Sequence, residues 1–183
     1  MDEGTANQSQ FNSLLWAALY HHDSIESLKR YFSPGLPDSI SWIDTFPGPR
    51  IAVSLADYAK EASLRSSLAI LTSIEATFKR DYRFRCEERL KDTLSRAFRE
   101  IHKGKPDYRS VSLERDIFDT WSRNVPDANR LIGDLRSAFR FRNWLAHGRY
   151  WIPRLGRNYD FEYLYRLADA VYSSLPLCGM DDA

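Results

Sequence analysis

The residues best suited to chemistry fall in one short run, Phe141-Arg142-Asn143-Trp144-Leu145-Ala146-His147-Gly148. Arginine offers a planar fork of donors that fits a phosphate, and histidine is the side chain that exchanges a proton near neutral pH. Cutting RNA without a metal requires a base for the 2'-hydroxyl, an acid for the departing 5'-oxygen and a cation for the charge that builds on phosphorus. His147 could serve as base and acid, Arg142 as the clamp on phosphorus, and Asn143 as the group that positions the histidine or the phosphate.

The helix that must carry these groups can be read from apolar spacing. Leu131, Leu135, Ala138 and Leu145 recur on one row, and Ile132, Phe139 and Ala146 on the next, with Arg142 and Asn143 interrupting the two rows at the same turn. A helix from near Ala128 to His147 follows, ended by Gly148, a residue suited to the left-handed position beyond a helix. A second helix is predicted from about Val53 to Leu90, where neither proline nor glycine intervenes. Its stripe of Leu64, Leu68, Leu71, Phe78 and Tyr82 skips a beat at Glu75, so a carboxylate occupies an inward slot. Two helices with one ionisable intruder each, of opposite sign, predict that Glu75 meets Arg142 in the interior, because a buried charge left unpaired is costly. Asp81, on the row of Ile70, Ile74 and Thr77, is the second candidate partner. On one helix Arg142 and His147 stand about 140° apart, whereas Asn143 and His147 share a face.

Arg142-Asn143-x-x-Ala146-His147 resembles the Arg-x4-6-His signature of HEPN domains, small helical bundles that include many metal-independent ribonucleases, toxins and phage-defence effectors. The likeness extends to the asparagine after the arginine, the small residue before the histidine, and the placement at the end of a long amphipathic helix. It covers roughly residues 52 to 175. The resemblance implies an up-and-down helical bundle and a homodimer whose composite site juxtaposes Arg142 and His147 from both chains. It further implies an endoribonuclease of the toxin-antitoxin or phage-defence kind, with RNA as substrate and an antitoxin or inhibitory protein as partner. Some HEPN proteins only bind partners, so the alternative is a non-catalytic dimer that associates with a nucleotidyltransferase or another defence subunit.

Composition sets bounds on these expectations. The chain has 183 residues, enough for one domain with a substantial core, and 26 Lys plus Arg against 25 Asp plus Glu leave a formal charge of +1. Overall charge therefore lends nothing to nucleic-acid binding, and any attraction for phosphate must be local. Two stretches interleave cations with aromatic rings: Lys79-Arg80-Asp81-Tyr82-Arg83-Phe84-Arg85, and the loop Arg149-Tyr150-Trp151 that follows the motif. Such stretches can hold backbone phosphates and stack bases, which makes Lys79, Arg83, Arg149, Tyr150 and Trp151 candidate RNA contacts. In the first stretch, Glu75 with Lys79 and Asp81 with Arg85 also read as ordinary helix pairs.

His21-His22-Asp23 lacks the spacing of a metal site, and neither a metal nor a cofactor is expected. Cys86 and Cys178 suggest no disulfide framework, the start is neither basic nor apolar, and no long apolar run is present. A soluble, cytoplasmic protein with no membrane segment is expected.

Along the chain, two short helices are predicted before Phe32, separated by a capping box of Asp23 and Glu26. Pro/Gly-rich sequence then closes an N-terminal helical extension, residues 1-50, ahead of a HEPN-like bundle over 51-183. Within the bundle, further helices are expected over Thr93 to Lys103, from Ser112 to about Arg123, and from Phe161 to Ser174, with Leu164, Leu167, Ala168, Val171 and Leu175 facing inward. The fold class is all-α.

Overall fold

The computed structural model describes residues 11–33, 54–149 and 155–179. Among them the chain is all-helical, without a strand. Helix α1 spans Phe11–Tyr31, α2 Leu55–Glu87, α3 Thr93–Lys103, α4 Asp119–Asn124, α5 Asn129–Ala146 and α6 Phe161–Ser174. The 33-residue α2 is the spine, against which α1, α3, α5 and α6 all pack. No helix among the described residues is long and apolar enough to cross a membrane.

Each helix start has a local cause. Ser54 opens α2 with a reciprocal box, its hydroxyl accepting from the Asp57 amide while Asp57 Oδ2 accepts from the Ser54 amide at 3.0 Å. Asp92 caps α3 through the Ser95 amide at 2.9 Å, and Asp160 caps α6 through the Tyr163 amide at 2.8 Å. Between α3 and α4, residues Leu113–Phe118 form a π-helical turn, in which the Ile117 amide reaches back five residues to the Ser112 carbonyl. The wider turn moves the reciprocal carboxylate one position on, so Asp116 Oδ2, and not the side chain at 115, accepts from the Ser112 amide at 2.8 Å. The helix expected from Ser112 onward is thus present, wound as π in its first half and as α in its second.

The break expected at Asp23 is absent, and α1 is one helix. Between Phe11 and Phe32 there is neither glycine nor proline, and Glu26 pairs with Lys29 at 2.7 Å instead of folding back on Asp23. Propensity losses of a few tenths of a kcal/mol at histidine and aspartate are too small to interrupt a helix that docks along its length. That helix lies on α2, burying Leu14 and Ala17, and its His21 ring stacks on Phe161 of α6 at 3.8 Å.

The core is aromatic at its centre. Phe78 of α2 meets Phe118 and Trp121 edge-on, at 5.1 and 5.8 Å between ring centroids, while Tyr82 meets Phe98 of α3 at 4.9 Å. All five inward positions predicted for the last helix are buried. His102, which reads as a surface residue, is half-buried because its ring stacks on Tyr108 at 4.3 Å.

The deepest charge on α2 is Asp81, fully buried and bonded to Arg85 Nε at 2.7 Å. Arg85 also donates to Asp92, to Ser95 Oγ at 3.2 Å and to the Pro176 carbonyl, and its guanidinium lies 5.6 Å from the Trp121 ring. The Cys178 amide donates to Asp81 at 2.8 Å. This pair fastens α2, the start of α3, α4 and the segment after α6 to one point.

Two outcomes follow. Asp81→Asn removes the nearer and more deeply buried of the two carboxylates that pair with Arg85, leaving Asp92 at 3.3 Å, and should cost about 3 kcal/mol in urea unfolding, whereas Arg83→Ala, at an exposed pair with Glu87, should cost about 1 kcal/mol or less. Burial, and then the charge of His22, lower the pKa of His21 below its ordinary 6.5. The unfolded chain therefore takes up that proton first as pH falls, so the docking of α1 should be at full strength above about pH 6.5 and weaken below it. Hydrogen-exchange protection factors in α1 should drop on acidification, and His21→Phe should remove the drop.

Candidate functional site

Helix α5 buries Ile132, Leu135, Ala138, Phe139 and Phe141, and at about 100° per residue Arg142 continues the middle of that face while Asn143 falls toward its edge. These two residues lie where the helix leaves the core, both half-exposed. Phe141 holds that turn in place by stacking on Tyr159 at 5.5 Å. The helix ends in a Schellman arrangement: the His147 amide bonds the Asn143 carbonyl at 3.0 Å, the Arg149 amide bonds the Trp144 carbonyl at 3.2 Å, and Gly148 takes φ +84°. A side chain at position 148 would be strained by that φ alone, so glycine is the natural occupant.

Arg142 pairs with Glu75 across the two helices, Nη2 to Oε2 at 2.9 Å. The partnership expected from the two interrupted stripes is therefore formed, but its location differs. The side chains are 30% and 20% exposed, and the pair lies in the wall of an open cleft of about 310 Å³. Two rows of α2 are fully buried, Ile70, Ile74, Thr77 and Asp81 on one and Leu71, Phe78 and Tyr82 on the other, and Glu75 is the position at which the second row opens onto the cleft. Glu75 also receives Lys79 Nζ at 2.7 Å, and Arg142 Nη1 donates to Asn143 Oδ1 at 3.4 Å. Arg142 Nε is buried and has no hydrogen-bond partner among the described residues.

The facing wall of the cleft is the π-helical turn, which contributes Ser112, Glu114 and Arg115. π-turns occur frequently at functional sites because they aim side chains that a regular helix would space differently. Arg115 and this wall were not foreseen from the sequence; the one signal was the serine at 112 with an aspartate four residues on. The cleft's own charges balance, Glu75 and Glu114 against Arg115 and Arg142. A phosphate entering it would compete with Glu75 for the Arg142 guanidinium.

His147 does not line this cleft. It is exposed at the helix terminus, and its ring has no partner among the described residues. Arg142 and His147 of one chain thus face different surroundings, as their offset of about 140° requires. Arg149, at φ 56°, grips Glu61 of α2 with two bonds of 2.6 and 3.2 Å. That fork, with help from Arg65, holds the Glu61 carboxyl below the usual range despite partial burial.

The other candidates are dispersed. Asp81 is bound to Arg85 and is not brought to Arg142. Lys79 is adjacent to the cleft through Glu75, while Arg83 pairs with Glu87 at 2.8 Å and lies 5.5 Å from the Tyr108 ring. Tyr150 and Trp151 lie outside the described residues. Among the described residues, no group of three or more His, Cys, Asp or Glu side chains is arranged to hold a metal ion. Set against protein-family models, curated proteins and solved structures, the chain matches none of them.

Because the Glu75–Arg142 pair is partly hydrated, Glu75→Ala should change stability by about 1 kcal/mol or less in urea unfolding, in contrast to the Asp81 variant. A loss several times larger would show that the pair acts as a core element rather than as part of an accessible site.

Proposed function

We propose that the chain is a HEPN-like, metal-independent endoribonuclease that works as a homodimer, of the toxin or phage-defence kind and resident in the cytoplasm. The observation that carries this reading is the state of the two motif side chains. Arg142 is held by Glu75 in the wall of an open cleft, and His147 is exposed at the end of the same helix, outside that cleft, its ring without a partner among the described residues. Each group is presented, and neither completes a site alone. A second copy related by a two-fold axis would bring the histidine of one chain to the arginine of the other.

In such a site His147 removes the proton from the 2'-hydroxyl, and the 2'-oxygen attacks the adjacent phosphorus. Arg142 stabilises the equatorial oxygens of the phosphorane, oriented by Glu75 and flanked by Asn143. The P–O5' bond breaks as the 5'-oxygen takes the proton that the imidazole had accepted, leaving a 2',3'-cyclic phosphate and a 5'-hydroxyl and returning His147 to its starting form. Neither a cofactor nor a metal enters this sequence.

The second reading is a non-catalytic dimer that binds a nucleotidyltransferase or another defence subunit. The Glu75–Arg142 ion pair favours it to this extent: an arginine already neutralised can serve as a register pin between helices. The purified protein, incubated with mixed RNA in EDTA, should yield fragments ending in 2',3'-cyclic phosphate, and His147→Ala should reduce cleavage by at least about a hundredfold while the dimer persists. Intact RNA after incubation with wild-type protein, together with harmless expression, would favour the binding partner.

A further inference from the structure

Beyond the motif, the most distinctive feature is the groove between α1 and α2, of about 630 Å³. This is within the range of about 300–1,000 Å³ that ligand pockets span. Its lining is aromatic: Tyr20, Tyr31 and Phe32 from α1 and its end, with Tyr58 from α2. Tyr20 and Tyr31 are 62% and 48% exposed, so their ring faces are open to solvent. Phe32 packs between Tyr31 and Tyr58, at 5.1 and 5.6 Å from their rings, and steadies that wall. The phenol oxygens of Tyr20, Tyr31 and Tyr58 bond no other described residue, and Ser24 and Ser27 add hydroxyls.

The rim of this groove is shared with the motif. Glu61 and Arg65 line it, and Glu61 is the carboxylate gripped by Arg149, two residues after His147. The Arg65–Glu61–Arg149 triad carries one net positive charge, with the Arg65 side chain largely hydrated and that of Arg149 partly so. Rings with free faces, hydroxyls that can meet polar edges and a cationic rim suit a planar, hydrogen-bonding ligand attached to phosphate. An apolar helix would leave the hydroxyls unpaired, and the bases of a duplex are stacked away from such a surface.

We infer that the α1–α2 groove binds the unpaired bases of single-stranded RNA, with Tyr20 and Tyr31 as stacking platforms and Arg65 and Arg149 as phosphate contacts. The inference rests on the endoribonuclease reading and adds to it a role for the N-terminal helix, which lies outside the stretch resembling the family. The groove would lead a flexible strand past the end of α5, so that a phosphodiester bond reaches His147. Stacking on tyrosine is sequence-tolerant, since every base has a π-face.

The test is fluorescence anisotropy with short labelled single-stranded oligouridine and oligoadenosine, in a His147→Ala background that leaves the RNA uncut, with sedimentation recorded on the same samples. Tyr20→Ala with Tyr31→Ala should weaken binding by about tenfold or more, while Tyr20→Phe with Tyr31→Phe should hold it within a few-fold. Unchanged affinity in the alanine pair would overturn the inference. A change of oligomeric state without a change in affinity would overturn it as well, and would assign the groove to a second copy of the chain, alongside the exposed Leu15, Trp16 and Leu19. Cleavage in EDTA separates groove binding from catalysis. If wild-type protein cuts RNA and the alanine pair binds and cuts equally well, the groove inference fails and the enzyme reading stands. If wild-type protein neither binds nor cuts RNA, both fail together.

Discussion

The Asp81–Arg85 ion pair is the point through which the fold is tied. It forms within one turn of α2, at no exposure for the aspartate, and every remaining polar atom of Arg85 is directed to another part of the chain. Taking two charges out of water is unfavourable unless the surrounding hydrogen bonds compensate. Here they are supplied by the cap of α3, by the backbone after α6 and by the face of Trp121. Gly179 lies close enough to Phe84 that a Cβ would approach to 2.8 Å, so the tail is seated tightly beside the same turn of α2.

That anchoring has a consequence for the motif. With α2 fixed from Ile70 to Cys86, its flank presents Glu75 at a defined height, and α5 presents Arg142 against it. The two ion pairs of α2 therefore serve different ends. Asp81–Arg85 is dry and multiply bonded, which suits a structural fastener. Glu75–Arg142 is partly hydrated and faces a cleft opposite a π-turn, which suits a guanidinium that must exchange partners.

Much of this was legible in the sequence because periodicity and caps carry local information. The bounds of α3 and α6 and the long span of α2 follow from apolar spacing and from the Asp92 and Gly104 flanks. The Glu75–Arg142 contact, across 67 positions, was legible because two interrupted stripes of opposite charge have few other solutions. Depth was not legible. A stripe reports which face turns inward, yet the cover at each position depends on what packs over it, and on α2 the stripe of Leu71, Phe78 and Tyr82 is fully buried except at Glu75, where the cleft opens. Asp81 reads both as an inward candidate partner for Arg142 and as an ordinary helix pair with Arg85, since spacing is the same for a buried pair and an exposed one. The continuity of α1 was missed for a related reason. A polar tetrad can cap a helix or lie within one, and docking against α2 decides which. The π-turn has no strong composition signal, and with it the wall that carries Arg115 was hidden.

In the proposed composite site, Arg142 and His147 act on one phosphate only when contributed by different chains. Mixing Arg142→Ala and His147→Ala proteins, each inactive alone, and allowing subunits to exchange tests it directly. In a composite site, each mixed dimer regains one intact Arg142–His147 pair, so RNA cleavage should reappear in the exchanged mixture and be absent from either variant alone. A mixture that exchanges subunits, verified by mass, and still fails to cut RNA would contradict the account.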